Sequence, residues 1–317
     1  MKWIALALLA VALTLPLHAE SPALKLTDGD RVLFVGPTVV ERDSQYGYFE
    51  TLLNARFPAA NFTFRNFGWS GDTVWGEARA EFGTPKDGYK RLVDEVSEAK
   101  PTVLLLAYGV NESFEGEAGL GRFIEQYGVL LDDLGKTGAR VWLIGPGRLE
   151  DLGSPLPDPA EHNKQVKVYS DAIRALAAKR GCGFVDLFEV LPDGAKVTPP
   201  RPLTDDGMHY NAYGAWRFGL AMETSLIAEH RIGRTLAGDP AARLEAIRLK
   251  TIAKNREHFY RWRPQNDTYI FGFRKHEQGR NAVEIPQFDT IIGKIEAEIM
   301  EMKKALDGAT VPAMPEK

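Results

Sequence analysis

The stretch with the clearest chemistry is an acidic turn that ends in a histidine. It runs Leu203-Thr204-Asp205-Asp206-Gly207-Met208-His209-Tyr210-Asn211 and leads into an amphipathic segment. Asp206 precedes His209 by three residues, and Gly207 breaks the turn between them, so carboxylate and imidazole can lie side by side. Such a carboxylate fixes the ring tautomer and stabilises the imidazolium, which leaves the other ring nitrogen to act as a base. A base requires a group to deprotonate and hydrogen-bond donors for the charge that develops.

Earlier segments predict the framework that positions this turn. Short apolar runs, which favour buried strands, alternate with longer stretches of helical periodicity. The apolar runs are 31–35, 62–66, 103–107, 141–144 and 184–186. The alternation predicts a parallel sheet with helices on both faces, and in such sheets ligands bind at the carboxyl ends of the strands.

Four residues fall at that edge of the predicted sheet. Thr38 follows the first strand, Gly71 lies in the loop after the second, and Asn111 follows the third. His209 lies in the turn that follows the fifth strand. Because loops at one edge of a sheet converge, these positions predict a single site.

Four separated segments resemble the sequence blocks of the SGNH hydrolases, the GDSL-type esterases and lipases. Val35-Gly36-Pro37-Thr38 stands where the family has Gly-Asp-Ser, and Gly68-Trp69-Ser70-Gly71-Asp72-Thr73 is a close match to the second block. Gly109-Val110-Asn111-Glu112 matches Gly-x-Asn-Asp except at its last residue. Asp206-Gly207-Met208-His209 matches Asp-x-x-His. The resemblance spans residues 30 to 221, about 60% of the chain.

The resemblance implies a three-layer α/β/α flavodoxin-like parallel sheet, the SGNH hydrolase fold, with a C-terminal helical appendage added here. It also implies hydrolysis of carboxylic esters, including acyl groups on carbohydrate, without a metal or an organic cofactor. Thr38 would be the nucleophile, His209 the base and Asp206 the group that orients the base. The backbone N–H groups of Thr38 and Gly71, with the side-chain amide of Asn111, would form the oxyanion hole. Such donors typically contribute about 10²–10³ each in rate.

The nucleophile position departs from the family, because Thr38 replaces serine and Pro37 replaces the preceding aspartate. Threonine keeps a hydroxyl, but its methyl group adds bulk beside the attacked carbonyl and restricts χ1. Three interpretations follow. Thr38 works as the nucleophile; or the scaffold is a catalytically inactive carbohydrate-binding or interaction protein; or another group replaces Thr38, either a water activated by His209 or the nearby Ser44.

The chain divides into three predicted regions. Residues 1–19 resemble a secretory signal peptide, residues 24–232 form the hydrolase-like domain, and residues 233–317 form a C-terminal helical extension or lid. We therefore expect a secreted or periplasmic protein without a stable membrane span once the signal is removed. The net charge of −4 gives no electrostatic footprint for nucleic acid, so the expected partner is a small-molecule or carbohydrate ester.

Other residues that can do chemistry have plainer interpretations. Cys182 is the single cysteine, which excludes an intrachain disulfide and predicts a buried thiol. We expect His162 and His276 to be solvated. The aromatic and basic cluster in the extension favours packing onto the sheet domain, with stacking on a sugar ring as the alternative. Its residues are Trp262, Arg263 and Asn266.

Overall fold

Among the described residues, parallel strands form a five-stranded central sheet in the order β2-β1-β3-β4-β5. The computed structural model describes residues 21–191, 194, 200–227, 234–235, 239–306 and 310–315. The predicted signal segment, residues 1–19, lies outside the described residues. The strands are β1 (Arg31–Gly36), β2 (Thr63–Gly68), β3 (Val103–Ala107), β4 (Arg140–Gly145) and β5 (Gly183–Asp186). This order is that of the flavodoxin-like sheet, so the prediction of a three-layer α/β/α fold is confirmed.

Helices cover both faces of the sheet. In the first part of the chain they are α1 (Thr38–Tyr46), α2 (Tyr48–Arg56), α3 (Pro85–Glu98), α4 (Gly116–Gly135), α5 (Ala160–Arg180), α6 (Leu187–Val190) and α7 (Ala212–Leu226). Short 3₁₀ helices follow two strands, at Glu77–Ala80 and Glu112–Glu115. The later helices are α8 (Asp239–Trp262), α9 (Asp267–Ile270), α10 (Lys275–Gln278) and α11 (Gln287–Lys303), with a 3₁₀ helix at Gly279–Glu284. Strands β6 (Arg234–Thr235) and β7 (Thr310–Val311) form a separate parallel pair.

Alternation along the strands builds two apolar cores, one on each side of the sheet. Val32 and Phe34 of β1 face a core that includes residues of α1, α2 and α7. Leu33 and Val35 of the same strand face the opposite core, formed with α3, α4 and α5. A strand buried on both faces explains why the apolar runs in the sequence are continuous.

Helix α1 lies unusually close to the sheet edge where the site is predicted. A Cβ at Gly68, at the end of β2, would come within 2.1 Å of the backbone nitrogen of Glu41. A Cβ at Gly36, at the end of β1, would come within 2.4 Å of the carbonyl oxygen of Ala107. Glycine at these two strand ends lets the first turn of α1 sit directly against the neighbouring strands.

In the predicted C-terminal extension, helices α8 and α11 pack against α2, and α8 also contacts the free edge of β2. Helices α8 and α11 share an apolar cluster with α2, formed by Ala55, Leu244, Ile247, Ile299 and Leu306. At the sheet edge, Nζ of Lys254 donates to the carbonyl oxygen of Phe64 at 2.9 Å. None of the described helices is long and apolar enough to cross a membrane.

Between α8 and the pair α1–α2 lies a buried polar layer. Its members are at most 4% exposed and are Asp43, Glu50, Thr251, Lys254 and Asn255. Lys254 pairs with Glu50, so these two charges compensate each other within the layer. The extension therefore meets the sheet domain through polar side chains as well as through apolar ones.

Candidate active site

The acidic turn brings the carboxylate of Asp206 against the ring of His209. Oδ2 of Asp206 lies 2.6 Å from Nδ1 of His209. Oδ1 accepts hydrogen bonds from the backbone N–H groups of Met208 at 3.1 Å and of His209 at 2.9 Å. Partial burial raises the pKa of Asp206, but these hydrogen bonds outweigh it and lower that pKa to about 2. The carboxylate is therefore ionised at neutral pH and holds the ring with its other nitrogen outward.

The acidic turn is itself held by Glu150, which follows β4. The Glu150 carboxylate accepts from the N–H groups of Leu203 and Thr204, at 2.8–3.0 Å, and from the Thr204 hydroxyl at 2.6 Å. The Glu150 N–H donates to the carbonyl oxygen of Gly207 at 2.8 Å. A positive φ of 89° at Gly207 makes the turn possible. Sequence reasoning missed this role of Glu150.

Thr38 is the first residue of α1, so its side chain and its N–H both lie at a helix N-terminus. The N–H groups of a first helical turn have no partner within the helix and carry partial positive charge. The N–H of Gly71 donates to Oγ1 of Thr38 at 3.3 Å. Gly71 has a φ of 78°, in the left-handed region that residues with a side chain rarely adopt, so glycine suits this position.

Asn111 lies after β3 and faces the same loop as Gly71. Its Nδ2 donates to the backbone carbonyl oxygen of Asp72 at 2.8 Å. An amide nitrogen carries two hydrogens, so one remains for a ligand. The Asp72 side chain is fully buried and accepts from Nε of Arg79 at 2.9 Å and from the hydroxyl of Tyr108 at 3.1 Å. These bonds tie the loop after β2 to the loop after β3.

Glu112, where the family motif has aspartate, is a buried loop anchor. Its carboxylate accepts from the N–H of Val74 at 2.9 Å and from the N–H of Gly109 at 2.8 Å. Burial raises the pKa of Glu112 to about 7, against the lowering effect of these hydrogen bonds. Glu112 therefore connects the loop after β2 to the loop after β3 from inside and does not line the cleft.

One cleft at the carboxyl edge of the sheet collects the predicted residues. Thr38, Asn111 and His209 all line this cleft. Gly71 does not line it, but its N–H donates to Oγ1 of Thr38, which does. The apolar part of the lining is Pro37, Val39, Ala107, Val110, Pro146 and Leu187. The structure thus brings all five predicted site residues to the carboxyl edge of the sheet.

Thr38 and His209 share the cleft without a direct bond. Within the part of the chain that the structure describes, Nε2 of His209 has no hydrogen-bond partner. Oγ1 of Thr38 is bonded to the N–H of Gly71 alone among these residues. The hydroxyl and the free ring nitrogen are therefore both available to a ligand, and catalytic hydrogen bonds often tighten only when substrate is bound.

Other sequence predictions fall away from the cleft. Ser44 donates to the carbonyl oxygen of Glu41 within α1 and does not line the cleft. The Trp262 ring lies 4.8 Å from the ring of Phe67, so it packs onto the sheet domain as the sequence favoured. His276 is exposed, as expected of a solvated residue. His162 differs from the prediction, because it is half-buried, stacks on Phe114 and lies 3.1 Å from Ser113 Oγ. Cys182 is likewise half-buried, not fully buried.

The parallel sheet, with a histidine–carboxylate pair and converging donors at its carboxyl edge, is the arrangement of a hydrolase with a flavodoxin-like α/β/α fold. The family model of the GDSL-like lipase/acylhydrolase family matches residues 26–217. The chain belongs to this family, and it is an ester-hydrolysing enzyme. No curated protein matches the chain.

Solved structures share the fold at low sequence identity. A gut microbial diltiazem-metabolizing enzyme is 13% identical with a TM-score of 0.61, and the match covers 90% of this chain and 98% of that one. An acetylxylan esterase from Geobacillus stearothermophilus is 19% identical with a TM-score of 0.49, over 64% of this chain and 96% of that one. A second acetyl xylan esterase is 22% identical with a TM-score of 0.49, over 62% of this chain and 100% of that one. The first match covers more of the chain than the sheet domain supplies, so it includes part of the extension.

Proposed function

We propose that the enzyme cleaves carboxylic esters with Thr38 as nucleophile, His209 as general base and Asp206 as the orienting carboxylate. The observation that carries the proposal is the 3.3 Å contact between the Gly71 N–H and Thr38 Oγ1, in a cleft that Asn111 and His209 also line. A donor beside the nucleophilic oxygen lies beside the oxyanion as well, because both oxygens are bonded to the same tetrahedral carbon.

The reaction starts when Nε2 of His209 takes the proton of the Thr38 hydroxyl while Oγ1 forms a bond to the ester carbonyl carbon. The carbonyl electron pair moves to oxygen, and that oxyanion is held by the N–H groups of Thr38 and Gly71 and by the Asn111 amide. The intermediate collapses, and the leaving alcohol receives the proton from His209. Water, deprotonated by His209, then attacks the acyl-threonine and releases the acid and the free hydroxyl.

The shape and lining of the cleft favour a substrate with a short acyl group on a large alcohol. We therefore propose acylated carbohydrate as the substrate class. The apolar lining of the cleft suits the acyl part, whereas the rim is open, with His209 at 34% and Asp206 at 48% side-chain exposure. A bulky hydroxylated alcohol can therefore remain outside while the ester carbonyl reaches Thr38. A panel of acetylated sugars compared with aryl esters of longer acyl chains tests this preference, and a higher kcat/KM for the longer chains would overturn it.

The Thr38 variants test the nucleophile. We expect Thr38→Ala to abolish hydrolysis of short acyl esters and Thr38→Ser to retain it, because serine keeps the hydroxyl without the methyl group. A fluorophosphonate probe should label Thr38 in the wild-type enzyme and nothing in the alanine variant. Full activity in Thr38→Ala would show that a water activated by His209, or another residue, performs the attack.

A binding function is the second candidate. The absence of a hydrogen bond between Thr38 and His209 among the described residues favours it, as does the threonine itself. If the scaffold binds acylated carbohydrate without turnover, calorimetry will detect binding while the wild-type chain hydrolyses no ester and remains unlabelled by the probe.

Export is part of the proposal. It rests on the apolar run in residues 1–19, which follows a lysine. Fractionation of cells that express the full chain, with sequencing of the mature N-terminus, tests it. Cleavage after residue 19 and recovery outside the cytoplasm would support it, whereas an intact chain in the cytoplasm would contradict it.

A further inference from the structure

The loop that carries Gly71 is held through the carboxylate of Glu41 on α1. Oε2 of Glu41 accepts from the N–H of Ser70 at 2.9 Å, and Oε1 accepts from the Ser70 hydroxyl at 2.9 Å. Ser70 is thus fixed through its backbone and its side chain by one group. Because Ser70 directly precedes Gly71, this contact sets where the Gly71 N–H points.

The same carboxylate is bound by the C-terminal extension. Nη1 of Arg263 donates to Oε2 of Glu41 at 2.8 Å, so one oxygen accepts from Arg263 and from the Ser70 N–H. Glu41 and Arg263 are only 22% and 26% exposed at their side chains. A charge-assisted bond with limited access to water is stronger than a fully exposed surface pair.

Arg263 also contacts the residue on the other side of Ser70. Its guanidinium carbon lies 3.7 Å from the ring centroid of Trp69, and the guanidinium carbon of Arg91 lies 4.8 Å from the same ring. The Trp69 side chain is buried, so these contacts are shielded from water. Arg263 therefore contacts the loop directly at Trp69 and holds it at Ser70 through Glu41.

The end of α8 gives Arg263 a fixed position. The N–H of Arg263 donates to the carbonyl oxygen of Phe259 at 2.9 Å, which continues the helical pattern, and Pro264 ends it. The neighbouring Trp262 packs 4.8 Å from the ring of Phe67 and 5.8 Å from that of Trp69. A long side chain that leaves an anchored backbone loses less entropy when it forms its contacts.

We propose that Arg263 is a positioning residue for the oxyanion hole: by holding Glu41 and Trp69 it fixes the Ser70–Gly71 segment beside Thr38. The extension then contributes to the reaction without touching the substrate. The proposal about the rate rests on the proposed function, whereas the proposal about the loop stands on the contacts alone.

Amide hydrogen exchange tests the effect on the loop without any need for activity. In Arg263→Gln we expect the Ser70 amide to exchange about tenfold faster, because its Glu41 acceptor loses the group that holds it. Arg261→Gln is the matched control, since Arg261 is in the same helical turn and pairs with the exposed Asp289. An unchanged Ser70 amide in Arg263→Gln, or equal acceleration in both variants, would overturn the proposal.

Kinetics test the effect on catalysis. A misplaced oxyanion-hole donor should lower kcat for a short acyl ester about 10- to 100-fold with little change in KM, because the donor acts in the transition state. Arg263→Lys keeps the charge but loses the planar group over Trp69, so it should restore part of kcat. If Arg263→Gln does not fold, the kcat of Arg263→Lys relative to the wild-type enzyme decides the test. Loss confined to KM, or a lysine variant no better than glutamine, would contradict a positioning role.

A double-mutant cycle with Glu41→Gln completes the test. If Arg263 acts through Glu41, the double variant should be hardly slower than the slower single variant. Full additivity of the two effects would contradict the relay. If the wild-type enzyme hydrolyses no ester, the proposed function fails, and the exchange measurement still decides whether Arg263 holds the loop.

Discussion

At the cleft, Asp206 is 48% exposed at its side chain and accepts three hydrogen bonds, whereas in the polar layer Asp43 is 4% exposed. Neither carboxylate oxygen of Asp43 has a hydrogen-bond partner within normal geometry among the described residues, although the N–H of Phe49 is near enough to oppose the pKa shift. Burial, followed by the nearby Glu50, raises the pKa of Asp43 to about 7, while donors lower that of Asp206 to about 2.

The balance between hydrogen-bond donors and burial, and not proximity to the active site, decides which carboxylate stays charged. Asp206 keeps its charge because three donors outweigh its partial burial. Asp43 approaches neutrality because burial acts almost without compensation. Activity and stability should therefore depend on different acids, and separate measurements should distinguish them.

The largest effect should come from removing the charge at the cleft. Asp206→Asn can hold the His209 ring in the wrong tautomer, and losses of about 10⁴-fold in kcat are typical of that change. The free energy of unfolding should change little, because the group is half exposed. Steady-state kinetics with a short acyl ester and urea unfolding test both halves. Asp205→Asn is the neighbouring control and should stay near wild type; equal losses in the two variants would contradict the assignment.

Breaking the Lys254–Glu50 ion pair of the polar layer should affect stability more than activity, the reverse of the pattern expected for Asp206→Asn. Lys254→Met leaves Glu50 buried without its partner, which typically costs about 3–5 kcal/mol of folding stability. Urea unfolding monitored by circular dichroism measures the loss. Lys250→Met, on the same helix, removes only an exposed pair with Glu298 and should cost less than about 1 kcal/mol. The double variant Lys254→Met/Glu50→Leu should recover most of the loss, and a failure to recover any would show that the charge is not the cause.

Asp43 predicts a pH dependence of stability with a defined sign. Its folded pKa of about 7 lies above the usual value of 3.8, so the folded state binds the extra proton between these limits. The free energy of unfolding should therefore fall as pH rises from about 4 to 7, by at most about 1.4 kcal/mol per pH unit.

In Asp43→Asn this contribution should vanish, so the variant gains stability relative to wild type as pH rises toward 8. Urea unfolding at a series of pH values measures the difference. Asp94→Asn, at an exposed surface pair, is the control and should run parallel to wild type. Parallel curves for Asp43→Asn would mean that Asp43 is charged in the folded enzyme.

The smallest effect should come from the exposed pair beside the acidic turn. Arg42 and Asp205 are 3.5 Å apart, with side-chain exposures of 31% and 60%. Arg42→Ala should change the unfolding free energy by less than about 1 kcal/mol and kcat by less than about threefold. A larger loss of kcat at unchanged stability would show that the pair helps to place the turn, and that exposed charges at the cleft also affect activity.

The sequence predicted the sheet because its strands are continuous apolar runs, which local pattern can reveal. It also brought Asp206 and His209 together because they are only three positions apart. It could not reveal the anchors. Glu41 is 29 residues from Ser70 and 222 from Arg263, and Glu150 is 54 from Thr204. Charged residues at such distances pair only once the sheet has formed.

The polar layer was missed for a related reason. Thr251, Lys254 and Asn255 lie on the buried face of α8, whereas polar residues on a helix usually indicate its solvent-facing side. Their burial depends on Asp43 and Glu50, which come from helices about 200 residues earlier in the chain, as the separation of 204 between Lys254 and Glu50 shows. The sequence predicted a helical extension, but its polar residues gave no indication that this face is buried.

Lys254 donates to a carbonyl on the outer side of β2, and this has a practical consequence for anyone who wishes to shorten the protein. A truncated chain that ends after α7 would leave the outer edge of that strand exposed, and an exposed strand edge invites pairing with a second molecule. Such a fragment would keep every proposed catalytic group and still be prone to self-association and aggregation. The smallest piece that holds every proposed catalytic group is therefore expected not to be the smallest soluble piece.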